Sequence, residues 1–163
     1  MDEFGLLKGK RVLVVDDEPD ILGVLENLLD MCHLDKAPDF ETAQEFLEKS
    51  KYDAAILDIM GVKGYDLLDM ASEKGIPTLM LTAHALTPGD FVKSIKKGAH
   101  AYVPKEKLSE IAVFLADILE ADQKGSKKLG KWFYRLESFF EKKFGSYWKE
   151  KTEKDPDFWK DSF

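Results

Sequence analysis

The chain is poor in cysteine: Cys32 stands alone among 163 residues, so no disulfide can form within it and an oxidising compartment is not required. Long apolar runs are missing as well, and no stretch approaches the roughly 20 residues a membrane helix needs. The first residues, MDEFGLLKGKR, are acidic and lack an apolar stretch of signal-peptide length, and a cytoplasmic location is the expectation. Excess positive charge is absent overall, with 24 Lys+Arg against 31 Asp+Glu. An acidic chain is a poor partner for phosphate backbones, which argues against direct DNA binding. There are no internal repeats and no low-complexity segments.

What is present divides in two. Residues 1–120 carry 13 basic and 23 acidic side chains, whereas residues 121–163 carry 11 and 8 together with 11 of the 19 aromatics. The acidic part shows short continuous apolar runs: Val12–Val15, Ala54–Leu57, Thr78–Leu81 and Tyr102–Val103, with a weaker one at Leu34–Ala37. Continuous rather than alternating runs suit strands covered on both faces. Helical patterns lie between them. Pro19 suits a first helical position, Asp39 and Ser109 are placed as caps, Gly75 and Gly98 as stops, and Thr87-Pro88-Gly89-Asp90 as a capped start. Five strand–helix repeats predict an α/β fold, a five-stranded parallel sheet doubly wound with helices. Ligands of such sheets bind beyond the carboxyl ends of the strands.

Those ends are polar. Asp16 and Asp17 follow the first strand, Asp58 ends the third, Thr82 ends the fourth, and Lys105 follows the fifth. Three converging carboxylates repel one another unless a cation bridges them, and a few hard oxygen ligands suit Mg²⁺. A lysine and a hydroxyl beside them can hold phosphoryl oxygens. That is equipment for phosphoryl transfer. Singly, each residue has a plainer role as turn former, cap or solvated charge; four polar groups at four strand ends point to a site.

Residues 10–120 resemble a response-regulator receiver domain of two-component signalling, on the motifs RVLVVDDEPD, AAILD, LMLTA and GAHAYVPKE. The resemblance implies the flavodoxin-like receiver fold and a phosphorelay role. In it, Asp58 takes a phosphoryl group from a histidine kinase or phosphotransfer protein. It also implies that Asp16, Asp17, Asp58 and the Met60 backbone carbonyl hold Mg²⁺, that Lys105 binds the phosphoryl group, and that Thr82 and Tyr102 couple the site to the face of the fourth helix, fifth strand and fifth helix. The chain would then be a regulatory phosphoacceptor rather than an enzyme. It departs from the family pattern twice. Glu106 follows the lysine where most members have proline, and the stretch Asp58–Gly64 is short and lacks its usual proline. Both loops are therefore expected to be arranged differently.

Two other readings fit less well. A Mg²⁺-dependent phosphohydrolase of the haloacid dehalogenase type also uses an Asp nucleophile, but it needs Asp-x-Asp where this chain has adjacent aspartates. A flavodoxin-like FMN protein would want Gly, Ser and Thr after the first strand. His33 and His100 fall at element ends without pairing as ligands, and His84 is read as an exposed loop residue.

The organisation expected is a lead at 1–9, a receiver at 10–122, a linker at 123–128 and a helical tail at 129–163. From Leu129 to Trp148 the aromatic and aliphatic residues keep helical spacing and cover a face too wide to stay in water. Asp155-Pro156 breaks the pattern before Phe158, Trp159 and Phe163. The tail is too short for a common DNA-binding output domain, and its charges are too mixed for a membrane surface. Protein contact is the expectation, with the receiver, with a second copy in a homodimer, or with a downstream partner.

Overall fold

A computed structural model describes residues 3–83, 86–125, 129–150 and 158–159. Strands β1 (Arg11–Val15), β2 (His33–Ala37), β3 (Ala54–Asp58), β4 (Thr78–Thr82) and β5 (Ala101–Pro104) form one parallel sheet in the order β2-β1-β3-β4-β5. The register pairs Val15 with Leu57, Asp58 with Leu81, and Thr82 with Pro104, so the polar strand ends lie side by side. The direction of winding reverses between β1 and β3, which opens a crevice at their carboxyl ends.

Helices α1 (Glu3–Leu7), α2 (Pro19–Leu28), α3 (Phe40–Lys49), α4 (Gly64–Glu73), α5 (Pro88–Lys96), α6 (Ile111–Gln123) and α7 (Lys131–Phe144) complete the fold. All five residues of β3 and of β4 are buried, as their unbroken apolar runs require. β2 is one of the two edge strands; β5, against which α7 packs, is the other. The β2 sequence HLDKA is only partly apolar because one side of the strand has no neighbour, which explains its weak signal.

Several end signals act as expected. Asp39 accepts a hydrogen bond from the Thr42 amide at 2.8 Å. The Thr87 hydroxyl accepts from the Asp90 amide at 3.0 Å and donates to the Asp90 carboxylate at 2.9 Å, a reciprocal cap. Ser109 does not act as a cap. It lies inside a 3₁₀ turn, Lys105–Glu110, and α6 begins at Ile111 without a side-chain cap. Within residues 1–9, α1 packs on α6 and Leu7 is fully buried.

The tail helix packs on its own receiver. Trp132, Phe133, Leu136 and Phe140 are buried against Phe91 of α5, Tyr102 of β5 and helix α6. Arg135 grips the buried Asp117 of α6 through two nitrogens, at 2.8 and 3.2 Å. The helix stops at Phe144 rather than running on to Trp148, because Gly145 turns the chain at φ 96°. Trp148 then folds back to stand 5.3 Å from the Phe91 ring, and Trp159 stacks on the same ring at 5.8 Å. His84, Ser126–Lys128, Asp155-Pro156 and Phe163 lie outside the described residues. Among the described residues no helix is long and apolar enough to cross a membrane.

Candidate functional site

The crevice gathers Asp16, Asp58, Thr82 and Lys105, all strongly withdrawn from solvent. Asp16 is 1% exposed, Asp58 6% and Thr82 1%. Asp16 sits there because its amide continues the ladder, donating to Ala37 at 3.1 Å, while its Oδ1 accepts from the Glu18 amide at 2.9 Å. Lys105 leaves β5 and brings Nζ to 3.0 Å from Asp16 Oδ2, 3.2 Å from Glu18 Oε1 and 3.5 Å from Asp58 Oδ1. One ammonium therefore faces three carboxylates.

Burial pushes the Asp58 carboxyl up to about 6, and repulsion from Asp16 adds to the rise against the pull of Lys105. Asp16 is likewise raised by burial, although the Glu18 amide and Lys105 oppose the shift. For Lys105, burial works toward deprotonation but loses to Asp16, Asp58 and Glu18, which together hold the ammonium above its usual value. The site is held with unbalanced negative charge.

Asp17 is exposed and lies beside the loop that follows β3. Gly61 sits at φ 86°, a left-handed conformation that favours glycine, and its backbone passes close to Asp17: an added Cβ would stand 2.5 Å from Asp17 Oδ2. A Cβ on Gly64 would strike the Asp58 carbonyl oxygen and come within 2.7 Å of Ile59 Cα. These two glycines let the short loop turn directly from Asp58 into α4, in place of the missing proline. No cis peptide occurs among the described residues, Lys105–Glu106 included.

Asp16, Asp17 and Glu18 offer carboxylate oxygens within 4.8 Å of one another, and Asp58 joins them through Lys105. Asp16 Oδ2, fully buried, receives no well-directed hydrogen bond despite its nearness to Lys105. A buried carboxylate oxygen served by one ammonium that two further carboxylates share, among other hard oxygens, fits a cation ligand. The donor set suits Mg²⁺.

Tyr102 is fully buried, 5.3 Å from Phe91 in an edge-to-face contact, and its hydroxyl accepts from the Thr87 amide at 3.2 Å. Tyr65 of α4 hydrogen-bonds Asp90 Oδ1 at 2.6 Å, so the capped start of α5 ties α4 to β5. Of the site residues named from sequence, Asp16, Asp17, Asp58, Thr82 and Lys105 thus fall at or beside one crevice, Tyr102 lies on β5 under the covered face, and the exposed Met60 sits in the loop after β3, next to Gly61. Glu18 was not among them. Its place directly after the acid pair was the available signal.

Comparison with known proteins agrees with this geometry. The response regulator receiver domain family matches residues 12–115. The two-component response regulator ARR10 of Arabidopsis thaliana is 36% identical over 112 residues, which are 64% of this chain and 20% of that protein. The heme response regulator HssR of Staphylococcus aureus (strain Newman) is 38% identical over 101 residues, 58% of this chain and 44% of that protein. The chain thus spans less than half the length of these curated relatives. A CheY-like response regulator receiver domain protein from Methanospirillum hungatei JF-1 superposes with a TM-score of 0.65 at 24% identity, covering 73% of this chain and all of that one. At that identity the likeness speaks for the fold. Since the family match covers more than half of the chain and takes in all the strand ends that build the crevice, this chain belongs to the response regulator receiver family of two-component signalling.

Proposed function

We propose that the chain is a Mg²⁺-dependent phosphoacceptor that takes a phosphoryl group onto Asp58 from a phosphohistidine of a histidine kinase or phosphotransfer protein. The observation that carries this reading is the placement of Lys105 Nζ between Asp16 and Asp58 in a buried crevice at the ends of β1 and β3. In the transfer, an Asp58 carboxylate oxygen bonds to phosphorus as the bond to the donor nitrogen breaks, leaving an acyl phosphate and, from a phosphohistidine whose other ring nitrogen carries a proton, a neutral imidazole. With its pKa at about 6, Asp58 is mostly ionised at neutral pH and available as nucleophile.

Asp16, Asp17, Asp58 and the Met60 carbonyl would hold the cation. The ion would supply positive charge to offset the negative charge of the phosphoryl oxygens. Lys105 follows the incoming oxygens, exchanging part of its contact with Asp16 and Glu18 for them. Thr82, at the adjoining strand end, donates its hydroxyl to one of them. Tyr102, beneath the tail, reports the change to the face of α5, β5 and α6. A phosphohydrolase reading finds less support, because the two acids after β1 are adjacent rather than spaced as Asp-x-Asp.

The chain would act as a receiver over residues 10–122 with a tail over 129–163 joined by 123–128, and through protein contacts rather than DNA. Incubation with acetyl phosphate and Mg²⁺, followed by intact-protein mass spectrometry, tests this. A single phosphoryl increment that disappears when Mg²⁺ is withheld supports it. Absence of any increment with Mg²⁺ overturns it.

A further inference from the structure

The residue after Lys105, where the chain departs from the family pattern, has a partner on the tail. In the 3₁₀ turn Lys105–Glu110, three consecutive side chains face two different parts of the molecule. Lys105 enters the crevice. Glu106 Oε1 lies 3.1 Å from Lys143 Nζ of α7. Lys107 Nζ lies 5.8 Å from the centre of the Phe139 ring of α7, which Lys143 Nζ also approaches at 5.7 Å.

The turn has little to hold it from within. Lys105 is held by its carboxylates and Leu108 packs partly buried against the core, but the turn has no side-chain cap, and Lys107, between those two anchors, breaks its regularity at φ −104°, ψ 17°. By contrast, α7 is anchored well away from the turn, by Trp132, Phe133 and Phe140 around Phe91 and by Arg135 on Asp117. Phe139, partly buried, and α7 at Lys143 therefore give the uncapped stretch at Glu106 and Lys107 a surface to rest against.

We propose that α7 is a positioning element for Lys105: Phe139 and Lys143, acting on Lys107 and Glu106, hold the turn where Lys105 Nζ meets Asp16 and Asp58. This rests on the reading of Asp58 as phosphoacceptor. Phosphoryl oxygens on Asp58 add acceptors for Lys105 in that same place, so a docked tail and an occupied site favour one arrangement of the turn. By linkage each strengthens the other, and shared ordering suffices without a large displacement.

The test uses the full chain with Mg²⁺ and beryllofluoride, a mimic of the phosphoryl group. In the wild type, saturation should slow hydrogen exchange over residues 105–110 and 131–144. The double variant Phe139→Ala/Lys143→Ala alters a part-buried ring and an exposed charge, and should bind beryllofluoride about threefold to tenfold more weakly. Lys143→Arg keeps the charge and should restore wild-type affinity beside an intact Phe139. If the double variant loses stability broadly, Glu106→Gln decides, since it leaves the packing of α7 intact: weaker binding supports the proposal and unchanged binding overturns it. Equal affinity of a stable double variant, or exchange over 131–144 indifferent to beryllofluoride, also overturns it. A wild type that binds no beryllofluoride refutes the phosphoacceptor reading itself, and does so before any tail variant is compared.

Discussion

Replacing Asp58 by Asn should stabilise the metal-free protein at neutral pH, against the usual effect of altering a buried residue. Asp58 is 6% exposed, and its pKa rises from 3.8 to about 6, mainly through burial and then through Asp16. A rise of about 2 units corresponds to about 3 kcal/mol of preference for the uncharged carboxyl in the folded state. The folded pKa lies above the unfolded value, so this group's favourable contribution is complete below pH 3.8 and is lost as pH rises through 6. Asn keeps the shape without the charge, and Lys105 keeps Asp16 at 3.0 Å and Glu18 at 3.2 Å. The expected gain at pH 7 in chelator is about 2–3 kcal/mol, some of the 3 being lost to imperfect pairing of the amide. In urea that is a midpoint shift of about 1 M. Paired titrations of wild type and variant from pH 4 to 7.5 confine the difference to the crevice, because carboxylates away from it cancel. The gain should fade toward pH 4, and it should shrink when Mg²⁺ neutralises the wild-type cluster. A variant no more stable than wild type at pH 7 in chelator refutes the electrostatic account of the crevice.

Asp17→Ala should suppress labelling by acetyl phosphate at Mg²⁺ concentrations that saturate the wild type, and raising Mg²⁺ should recover part of it; unchanged labelling would remove Asp17 from the cation site. Thr82→Ala should still accept phosphoryl, but amide shifts on β5 and α6 should respond less, as an NMR titration with beryllofluoride can show; a full response would break the proposed coupling to Tyr102. Phe140→Ala removes a ring buried between Phe91, Phe133 and Trp148 and should cost about 3–5 kcal/mol in a denaturant titration. A loss below about 1 kcal/mol would mean that the tail adds little to the receiver.

The sheet was legible because β3 and β4 are buried on both faces and apolar apart from their polar ends, which AAIL and LML state directly. β2 was faint for the opposite reason, as an edge strand whose Asp35 and Lys36 bond to Tyr52 and Glu26 at the rim. The candidate site was legible because strand ends are fixed by the fold, so Asp16, Asp58, Thr82 and Lys105 could be placed without knowing any loop. Ser109 misled because a good cap residue does not compel a helix: the chain stays 3₁₀ through Glu110 while Lys105 and the tail contacts constrain it. Where the tail would settle could not be read from its own pattern. A wide aromatic face requires burial, but the acceptor is assembled from Phe91 and Tyr102 on separate elements, together with Asp117 for Arg135. Glu106 facing Lys143 was hidden for the same reason, since neither charge has a local sequence signature.

The central claim, that Asp58 itself carries the phosphoryl group, is tested most directly at the level of the residue. After treatment with acetyl phosphate and Mg²⁺, borohydride reduces an acyl phosphate to the alcohol, so a phosphorylated aspartate is recovered as homoserine. Peptide sequencing by mass spectrometry should find homoserine at position 58 and at neither Asp16 nor Asp17. Homoserine at another aspartate, with position 58 unaltered, would contradict the account.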